Sequence, residues 1–579
     1  MTGPFLWRYI YMDTLEEELI SNLDIKRMME NLKILVKKPR LSGTQEELEG
    51  FQYVQKKVTE YGVDNKLLTF RGYLSYPRFA KVEVGGDEPL TLQAKTRSFS
   101  ASTSNDGVEG DVVYIPGGSD MFTDTKTIEM LRKTDLKDKI VLTEGGGRQN
   151  MIFAQKKGAI GYIHMWPNQD PLVHDSTVSP VWGTPTPEKI NLIPNIPVVA
   201  ITNMDGQLLL DRMKKGALKV RLFTTTETGW QDQRILECKI PGKSKQFVMI
   251  GSHLDTWDIG ATDNLTGCCL AMELLRVFKL YQDKMEKGLR VCFWCGHSPG
   301  RFTGSTWYCD NNWVDLRKNC VMYQNIDMPG CSGRTTYNVF EATAETADIG
   351  IQVFKEITGK KVTWKRPGRY ADMSFWGVGL PDLLVTGPSA IPDKGGSPWY
   401  WHTCQDLYDK ADPDILLNDT KLYTLCAARV IFAKLLPLSI THAVQDLSQY
   451  VEELKPFAAN CFDLDPIIKA LDELNKSAVV FDDKRNDTYS EVQIELKNRK
   501  LSEALKELCT INYTNIGEFE HDPAAPRTPF MLMQEVKELN KLNGDAGGFL
   551  KTKLVRNRNM VVWHILEANR LIKEANSNV

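Results

Sequence analysis

The sequence lacks the features that would take it into or across a membrane. It has no run of about 18 apolar residues, the length that a membrane-spanning helix needs. Arg8 lies inside the short apolar stretch at the start and acidic residues follow at once, so the order of a signal peptide is missing. The cysteines are scattered, as is typical of a reducing compartment rather than a disulfide framework. These features predict a cytoplasmic location and no membrane partner.

The chain also lacks an excess of charge of either sign. Its 579 residues include 71 basic and 74 acidic ones, for a net charge of −3. Nucleic acids and anionic membranes normally select a basic surface, so neither partner is expected. Because one hydrophobic core rarely grows beyond roughly 250–300 residues, a chain of this length should form several domains.

The pattern of the sequence changes along the chain and predicts four regions. Helical periodicity dominates residues 1–75, and short β-branched runs broken by Gly and Pro fill residues 76–235. Strand and helix patterns alternate over residues 236–436, and long helical patterns fill residues 437–579. We therefore predict an α/β protein with a mainly parallel sheet, helices on both of its faces, an inserted β-rich domain and a helical C-terminal domain.

Within the alternating region the apolar runs predict individual elements. The predicted strands are Phe247–Gly251, Val291–Cys295, Cys320–Ile326 and Leu383–Thr386, and the predicted helices are Asn264–Leu280, Ser305–Leu316 and 344–358.

Chemically informative residues follow these predicted strands. The chain has only eight histidines, and His253 stands at the end of the first strand, with Asp263 soon after it. Asp327 follows the third strand, and His402 follows a loop rich in Gly and Pro. Ligand sites in open α/β sheets form at the carboxyl edge of the strands. Imidazole together with carboxylate oxygen is a suitable donor set for zinc and similar divalent ions.

As a set, these motifs resemble the co-catalytic zinc aminopeptidase family, and most of all its branch of glutamate carboxypeptidase and transferrin receptor. The series is His253-X-Asp255, Gly260-Ala-X-Asp263-Asn264-X-X-Gly267, Asn325-X-Asp327 and His402-Thr-X-X-Asp406. The resemblance covers nearly the whole chain. Residues 76–235 resemble the protease-associated insert of that branch, with Leu136–Leu142 and Ala154–Gly161 as its recognisable parts. Residues 437–579 resemble its helical dimerisation domain, which implies a homodimer.

The resemblance implies a role for each of these residues. Asp263 would bridge two metal ions, His253 and Asp327 would complete the protein ligands of the first, and His402 would bind the second. Asp255 would orient His253 from behind, as carboxylates commonly do for metal-bound imidazoles. Zinc is the implied metal, with one or two ions.

The sequence departs from the family at two positions that matter for catalysis. The family places a Glu pair, its general base and a metal ligand, after the strand that corresponds to Val291–Cys295. Here the stretch Cys295-Gly-His297-Ser-Pro-Gly-Arg301 contains no carboxylate. The family's oxyanion-donating Tyr before the last His is here Trp401, with Tyr400 adjacent. A general base contributes about 10²–10⁴-fold and an oxyanion donor about 10²–10³-fold, so activity would need replacements.

Three interpretations follow. In the first, the chain hydrolyses a small peptide-like or amide substrate in a modified site, where His297 acts as base, acid or metal ligand. Arg301 would then bind an anionic substrate group, and Arg369, Tyr400 and Trp401 would lie on the substrate side. In the second, the chain is a non-catalytic relative that binds partners, and in the third it is a metal-dependent lyase or isomerase. The nearly complete ligand set favours an enzyme, because a receptor has no physical need for it.

Overall fold

The computed structural model describes residues 13–117, 125–144, 148–334, 336–384, 397–524 and 528–577. Its helices are α1 (Thr14–Ser21), α2 (Ile25–Leu35), α3 (Gln45–Glu60), α4 (Thr125–Lys133), α5 (Arg148–Lys156), α6 (Asn203–Met213), α7 (Thr266–Leu280), α8 (Thr303–Asn311), α9 (Trp313–Asn319), α10 (Ala347–Thr358), α11 (Pro413–Ile431), α12 (Ile440–Ala458), α13 (Asp465–Asp483), α14 (Glu491–Tyr513), α15 (Val536–Leu539) and α16 (Gly544–Asn576). Its strands are β1 (Asp64–Val84), β2 (Leu90–Gln93), β3 (Lys95–Thr96), β4 (Val108–Tyr114), β5 (Lys139–Thr143), β6 (Gly161–Met165), β7 (Val198–Ile201), β8 (Lys219–Ile240), β9 (Phe247–His253), β10 (Gly288–Trp294), β11 (Cys320–Asn325), β12 (Val339–Ala342), β13 (Thr363–Lys365) and β14 (Leu383–Leu384).

Three parallel strands bring the chemically informative segments to one edge. β9 lies between β10 and β11, and all three run in the same direction. Every residue of these strands is buried, because helices cover both faces of the sheet, and this explains their continuous apolar runs. His253 pairs with Trp294 across the β9–β10 register. The segments that follow β9, β10 and β11 therefore leave the sheet side by side.

The connection from β9 to α7 is tight. Gly260 has φ 60°, a conformation that favours glycine, and residues Ala261–Leu265 form a single wide turn before α7 begins at Thr266. A Cβ at Gly267 would lie 2.2 Å from Asn264 Oδ1, so only glycine allows this approach. The wide turn is the reason that α7 starts two residues later than the predicted start at Asn264.

A long two-stranded ribbon joins the two halves of the sheet. β1 and β8 have 21 and 22 residues and pair in antiparallel fashion over their whole length. β8 pairs with β10 near one end and with β4 near the other. Among the described residues this gives one 11-stranded sheet in the order β11-β9-β10-β8-β4-β5-β6-β7-β3, with β1 paired to β8 and β2 paired to β1. The predicted boundaries at 75/76 and 235/236 thus fall inside β1 and β8.

The C-terminal region is helical and shares its core with the sheet. Apolar residues of α12, α13, α14 and α16 belong to the same buried cluster as β9, β10 and β11. A reciprocal pair of hydrogen bonds between Ser490 and Gln493 caps the start of α14. The predicted fold class, α/β with a mainly parallel sheet and a helical C-terminal region, is confirmed.

Two predicted elements differ in detail. The helix predicted over Ser305–Leu316 is divided into α8 and α9 at Asn312, whose side chain donates to Tyr308 O (2.9 Å). The last strand is observed as Leu383–Leu384, and the rest of its predicted span lies outside the described residues. The domain boundaries, the homodimer and the cytoplasmic location remain predictions. Among the described residues, no helix has the length and hydropathy that crossing a bilayer requires.

Candidate metal centre

His253, the last residue of β9, is buried and has its ring fixed from one side. Its Nδ1 donates a hydrogen bond to the carbonyl oxygen of Asp255 (2.9 Å), which turns Nε2 toward Asp263 and Asp327. Nε2 lies 3.1 Å from Asp263 Oδ1 and 3.6 Å from Asp327 Oδ1. It forms no well-aligned hydrogen bond with any described residue. A buried imidazole nitrogen that faces two carboxylates is an arrangement that suits a divalent metal ion.

Asp263 contacts two histidines with its two oxygens. Oδ1 faces His253, and Oδ2 lies 3.1 Å from His402 Nε2. The Nδ1 of His402 donates to Asp175 O (2.8 Å), so its Nε2 is the nitrogen that faces Asp263. Burial opposes ionisation of Asp263, but its contacts with the two imidazoles lower the pKa of its carboxyl well below the usual value. The structure therefore brings the four predicted metal ligands together around one carboxylate.

Asn264 joins the segments that carry Asp263 and Asp327. Its side-chain amide donates to Ile326 O (2.7 Å) and accepts from Met328 N (3.1 Å). These bonds hold the backbone on both sides of Asp327 against the start of α7.

Asp406 holds Asp263 from behind. Its buried carboxylate accepts hydrogen bonds from Thr262 N (3.0 Å), Thr262 Oγ1 (2.9 Å) and Asp263 N (3.0 Å). Burial raises the pKa of Asp406 to about 7. The sequence motif contains Asp406, but its role as the support of Asp263 becomes visible only in the structure.

We expect Asp406→Asn to weaken zinc affinity about 10–100-fold, the usual effect of losing a support behind a metal ligand. The side-chain amide of the asparagine would place an N–H₂ donor opposite a backbone N–H donor of Thr262 or Asp263, so two donors would face each other. Competition with a chromophoric chelator measures the affinity. Asp409→Asn is the matched control, because Asp409 is 65% exposed. Equal affinities in the two variants would contradict the role of Asp406.

His297 is the residue predicted to take the place of the family's Glu pair. Its ring stacks on that of His253, with centroids 3.7 Å apart and an interplanar angle of 16°. Its Nδ1 is 2.8 Å from Asp372 Oδ2. One ring nitrogen of His297 lies within 4.8 Å of ligand atoms of His253 and Asp327. The structure thus places His297 beside the predicted ligands, paired with a carboxylate.

The carboxylate of Asp255 anchors the loop that carries His297. It accepts hydrogen bonds from His297 N (3.3 Å), Ser298 N (3.1 Å) and Ser42 Oγ (2.6 Å). Ser42 Oγ in turn accepts from Gly296 N (3.1 Å). The contact with His253 runs through the Asp255 carbonyl, since the nearer carboxylate oxygen is 3.8 Å from Nδ1. Asp255 therefore orients both the metal-site histidine and the neighbouring loop.

Behind Asp372 lies a chain of hydrogen bonds. Ser305 Oγ donates to Asp372 Oδ1 (2.6 Å) and lies 2.8 Å from Ser374 Oγ. Trp182 Nε1 donates to Ser374 Oγ (2.8 Å). In the sequence 75 residues separate Asp372 from His297, so no local pattern indicates their pairing.

The remaining predicted site residues are two arginines and two aromatic residues. Arg301 and Arg369 are buried, and both guanidinium groups lie over the ring of Trp182. Trp401 stacks on His402 with centroids 3.4 Å apart. The Tyr400 hydroxyl forms a long hydrogen bond (3.4 Å) to Ser332 O.

The insert contributes directly to the site, which no sequence signal indicates. Asp175 N donates to His402 O (2.9 Å), which reciprocates the bond from His402 Nδ1. His174 Nδ1 donates to Trp401 O, and the His174 ring stacks on Trp166 at 3.8 Å. Residues of the insert therefore fix the position of the last predicted metal ligand.

A parallel sheet that gathers histidines and aspartates at its carboxyl edge is typical of a metal-dependent α/β enzyme. Residues 236–424 match Peptidase family M28, and the chain therefore carries a domain of this family. This confirms the resemblance that the motifs predict.

Relatives of known name agree with this assignment. The chain is 22% identical over 473 residues to a probable glutamate carboxypeptidase of Arabidopsis thaliana, covering 66% of this chain and 64% of the relative. It thus spans less than two thirds of that relative. It is 24% identical over 419 residues to carboxypeptidase Q of Xenopus laevis, covering 67% and 80%. The solved structure of a zinc aminopeptidase from Bacillus subtilis superposes with a TM-score of 0.53 at 18% identity, covering 73% of this chain and 97% of that one.

Proposed function

We propose that this protein is a zinc-dependent hydrolase of a peptide-like or amide bond. The observation that carries the proposal is the position of Asp263, whose two oxygens each lie 3.1 Å from the Nε2 of a different histidine. Both histidines direct Nδ1 to a backbone carbonyl, so Nε2 of each is the nitrogen available to a metal ion. Imidazole and carboxylate donors suit zinc, and a solved relative is named as a zinc aminopeptidase.

The donor set fits one or two ions. His253, Asp263 and Asp327 would hold the first, and Asp263 with His402 would hold a second. When bound, zinc supplies Lewis-acid polarisation of the substrate carbonyl. The second position has only two of these ligands, whereas one ring nitrogen of His297 lies within 4.8 Å of ligand atoms of His253 and Asp327, next to the first position.

His297 and Asp372 supply the proton transfer that the missing Glu pair would otherwise perform. Asp372 accepts from His297 Nδ1, which fixes the ring and leaves Nε2 as the basic nitrogen. Nε2 can take a proton from the attacking water and return it to the leaving nitrogen. Ser305 Oγ donates a hydrogen bond to the other oxygen of the Asp372 carboxylate and keeps it in place for this role.

The test is hydrolysis by the purified full-length protein with zinc, with chelator, and after zinc is restored. Dipeptides, N-acyl amino acids and amino-acid anilides form the substrate panel. We expect hydrolysis of at least one class, its loss with chelator and its recovery with zinc. Stoichiometric zinc without hydrolysis of any class would overturn the proposal and would favour a lyase, an isomerase or a partner-binding protein.

We expect Asp372→Asn to lower kcat by about 10²-fold or more while zinc binding is unchanged. The amide would stabilise the wrong tautomer of His297, an effect that costs up to about 10⁴-fold in serine proteases. Steady-state kinetics with elemental analysis measure both quantities. Asp310→Asn is the matched control, because it removes an Asp–His contact of the same 2.8 Å from an exposed pair with His521. An equal kcat in both variants would exclude the role of Asp372.

A further inference from the structure

The segment of residues 166–175, which follows β6, contacts the loop that carries the last predicted metal ligand. The backbone of Asp175 exchanges two hydrogen bonds with His402, one from Asp175 N to His402 O (2.9 Å) and one from His402 Nδ1 to Asp175 O (2.8 Å). His174 and Trp166, in the same segment, both contact Trp401. The segment therefore touches His402 directly and also through the residue before it.

The backbone of His402 has a conformation that surrounding contacts must hold. Its φ is 55°, in the left-handed region that favours glycine. Other residues stay in such a conformation only where the structure around them determines it. The two hydrogen bonds with Asp175 attach both the carbonyl and the ring of His402 to a segment outside its own loop. If these contacts were lost, His402 could relax and its ring would leave the position that faces Asp263.

His174 is the residue of the segment that is held most completely. Its side chain is 0% exposed, and its Nε2 lies 3.0 Å from Asp170 Oδ1. Its Nδ1 donates to Trp401 O (2.5 Å). The ring also stacks on that of Trp166, with centroids 3.8 Å apart and an interplanar angle of 15°. Both ring nitrogens and one ring face thus have a partner, so the ring is a rigid support for the carbonyl of Trp401.

Trp401 transmits this support to the metal ligand. Its ring stacks on that of His402, with centroids 3.4 Å apart and an interplanar angle of 17°. The ring of Trp166 lies 6.2 Å from that of Trp401, at 27°. At position 401, where the family has a tyrosine, the larger indole ring therefore lies against the imidazole of His402. The carbonyl of Trp401 is held by His174, and its ring packs on the ligand.

The 166–175 segment is itself fixed to the sheet. Arg97, directly after β3, is 3% exposed and donates through Nη1 to His174 O (2.6 Å). Its Nη2 lies 2.8 Å from Nδ1 of His164, which belongs to β6. Lys95, in β3, forms an ion pair with Asp175. Contacts with two strands therefore make the segment a firm base for the loop that it touches.

We propose that His174 is a positioning residue for the second metal position, and that this position forms only while the 166–175 segment is docked on the loop of His402. The contacts described above end at His402 or at its neighbour Trp401. His402 is one of the two ligands of the second position, whereas the first position does not use it. The inference rests on the metal ions of the proposed function and on no step of hydrolysis.

Metal titration tests this inference without any need for catalysis. Full-length protein is freed of metal and titrated with Zn²⁺ against a chromophoric chelator, and separately with Co²⁺, whose visible absorption reports the ligands around each ion. We expect two zinc affinities in the unchanged protein, of which His402→Ala removes the weaker. His174→Ala should weaken that same site about 10–100-fold, the usual effect of losing a support behind a metal ligand, and leave the other site unchanged.

His442→Ala is the matched control, and His174→Asn tests for rescue. His442 also lies beside an aspartate (Asp348, 3.4 Å) and a tryptophan ring (Trp364, 5.1 Å), but it belongs to α12. His174→Asn keeps an N–H donor at about the place of Nδ1, so it should retain more affinity for the second ion than His174→Ala. If His174→Ala fails to fold by circular dichroism, Asp170→Asn, at a partly buried position, repeats the test with the same expected direction.

The outcomes separate this inference from the proposed function. A single zinc site in the unchanged protein, an equal loss at both sites in His174→Ala, or no loss at either site would overturn the inference. Zinc binding that depends on His174, without hydrolysis of any substrate, would overturn the proposed function alone. Hydrolysis by a protein whose zinc affinities are the same with and without His174 would overturn the inference alone.

Discussion

Asp263→Ala should remove zinc and hydrolysis together. The two carboxylate oxygens of Asp263 lie 3.1 Å from the Nε2 atoms of His253 and His402. Its loss therefore removes the proposed ligand that contacts both histidines. We expect elemental analysis after dialysis to show at least one ion per chain fewer than in the unchanged protein. Metal polarisation of a carbonyl is worth several kcal/mol, so activity should fall about 10³-fold or more.

Asp258→Ala is the control for this experiment. Asp258 lies five residues earlier in the same loop and is near Lys95 (3.8 Å), and its side chain is 36% exposed. Its removal changes the local charge without removing a proposed ligand. If zinc stoichiometry were the same in Asp263→Ala and Asp258→Ala, the assignment of the metal centre would be wrong.

The strands that carry this centre could be predicted because their burial is complete. Every residue of β9, β10 and β11 is buried, so each strand contains a continuous apolar run in the sequence. The predicted strand at Phe247–Gly251 ends only two residues before the observed one. The position of His253, Asp263 and Asp327 at one edge follows from parallel strand order, which alternating strands and helices predict.

Contacts between distant segments could not be predicted from local patterns. Ser42 and Asp255, His297 and Asp372, and Asp175 and His402 are separated by 213, 75 and 227 residues. Each contact depends on how loops leave different parts of the sheet, and neither periodicity nor turn chemistry contains that information. The predicted edges of the insert remain predictions, and β1 and β8 pair with each other through both of them.

His297→Ala should lower kcat by about 10²–10⁴-fold, the contribution of a general base. The ring of His297 stacks on His253 and is paired with Asp372, so it is the titratable group placed where the Glu pair is missing. Steady-state kinetics give kcat, elemental analysis separates a base from a ligand, and circular dichroism checks the fold. Retained zinc with lost activity would identify a base, whereas loss of an ion would identify a ligand. His521→Ala, which breaks the exposed contact with Asp310, is the control.

A glutamate at position 297 should restore activity only in part, and the reason lies in Asp372. In His297→Glu the new carboxylate would face Asp372 Oδ2, which lies 2.8 Å from the present imidazole nitrogen. Two carboxylates at such a distance cannot both ionise easily, so the pair would retain a proton and less of the glutamate would be present as the free carboxylate that acts as base. The double variant His297→Glu with Asp372→Asn removes this repulsion and should be more active than His297→Glu alone. Full activity in His297→Ala, or a double variant no better than His297→Glu, would show that the proton is transferred by another group.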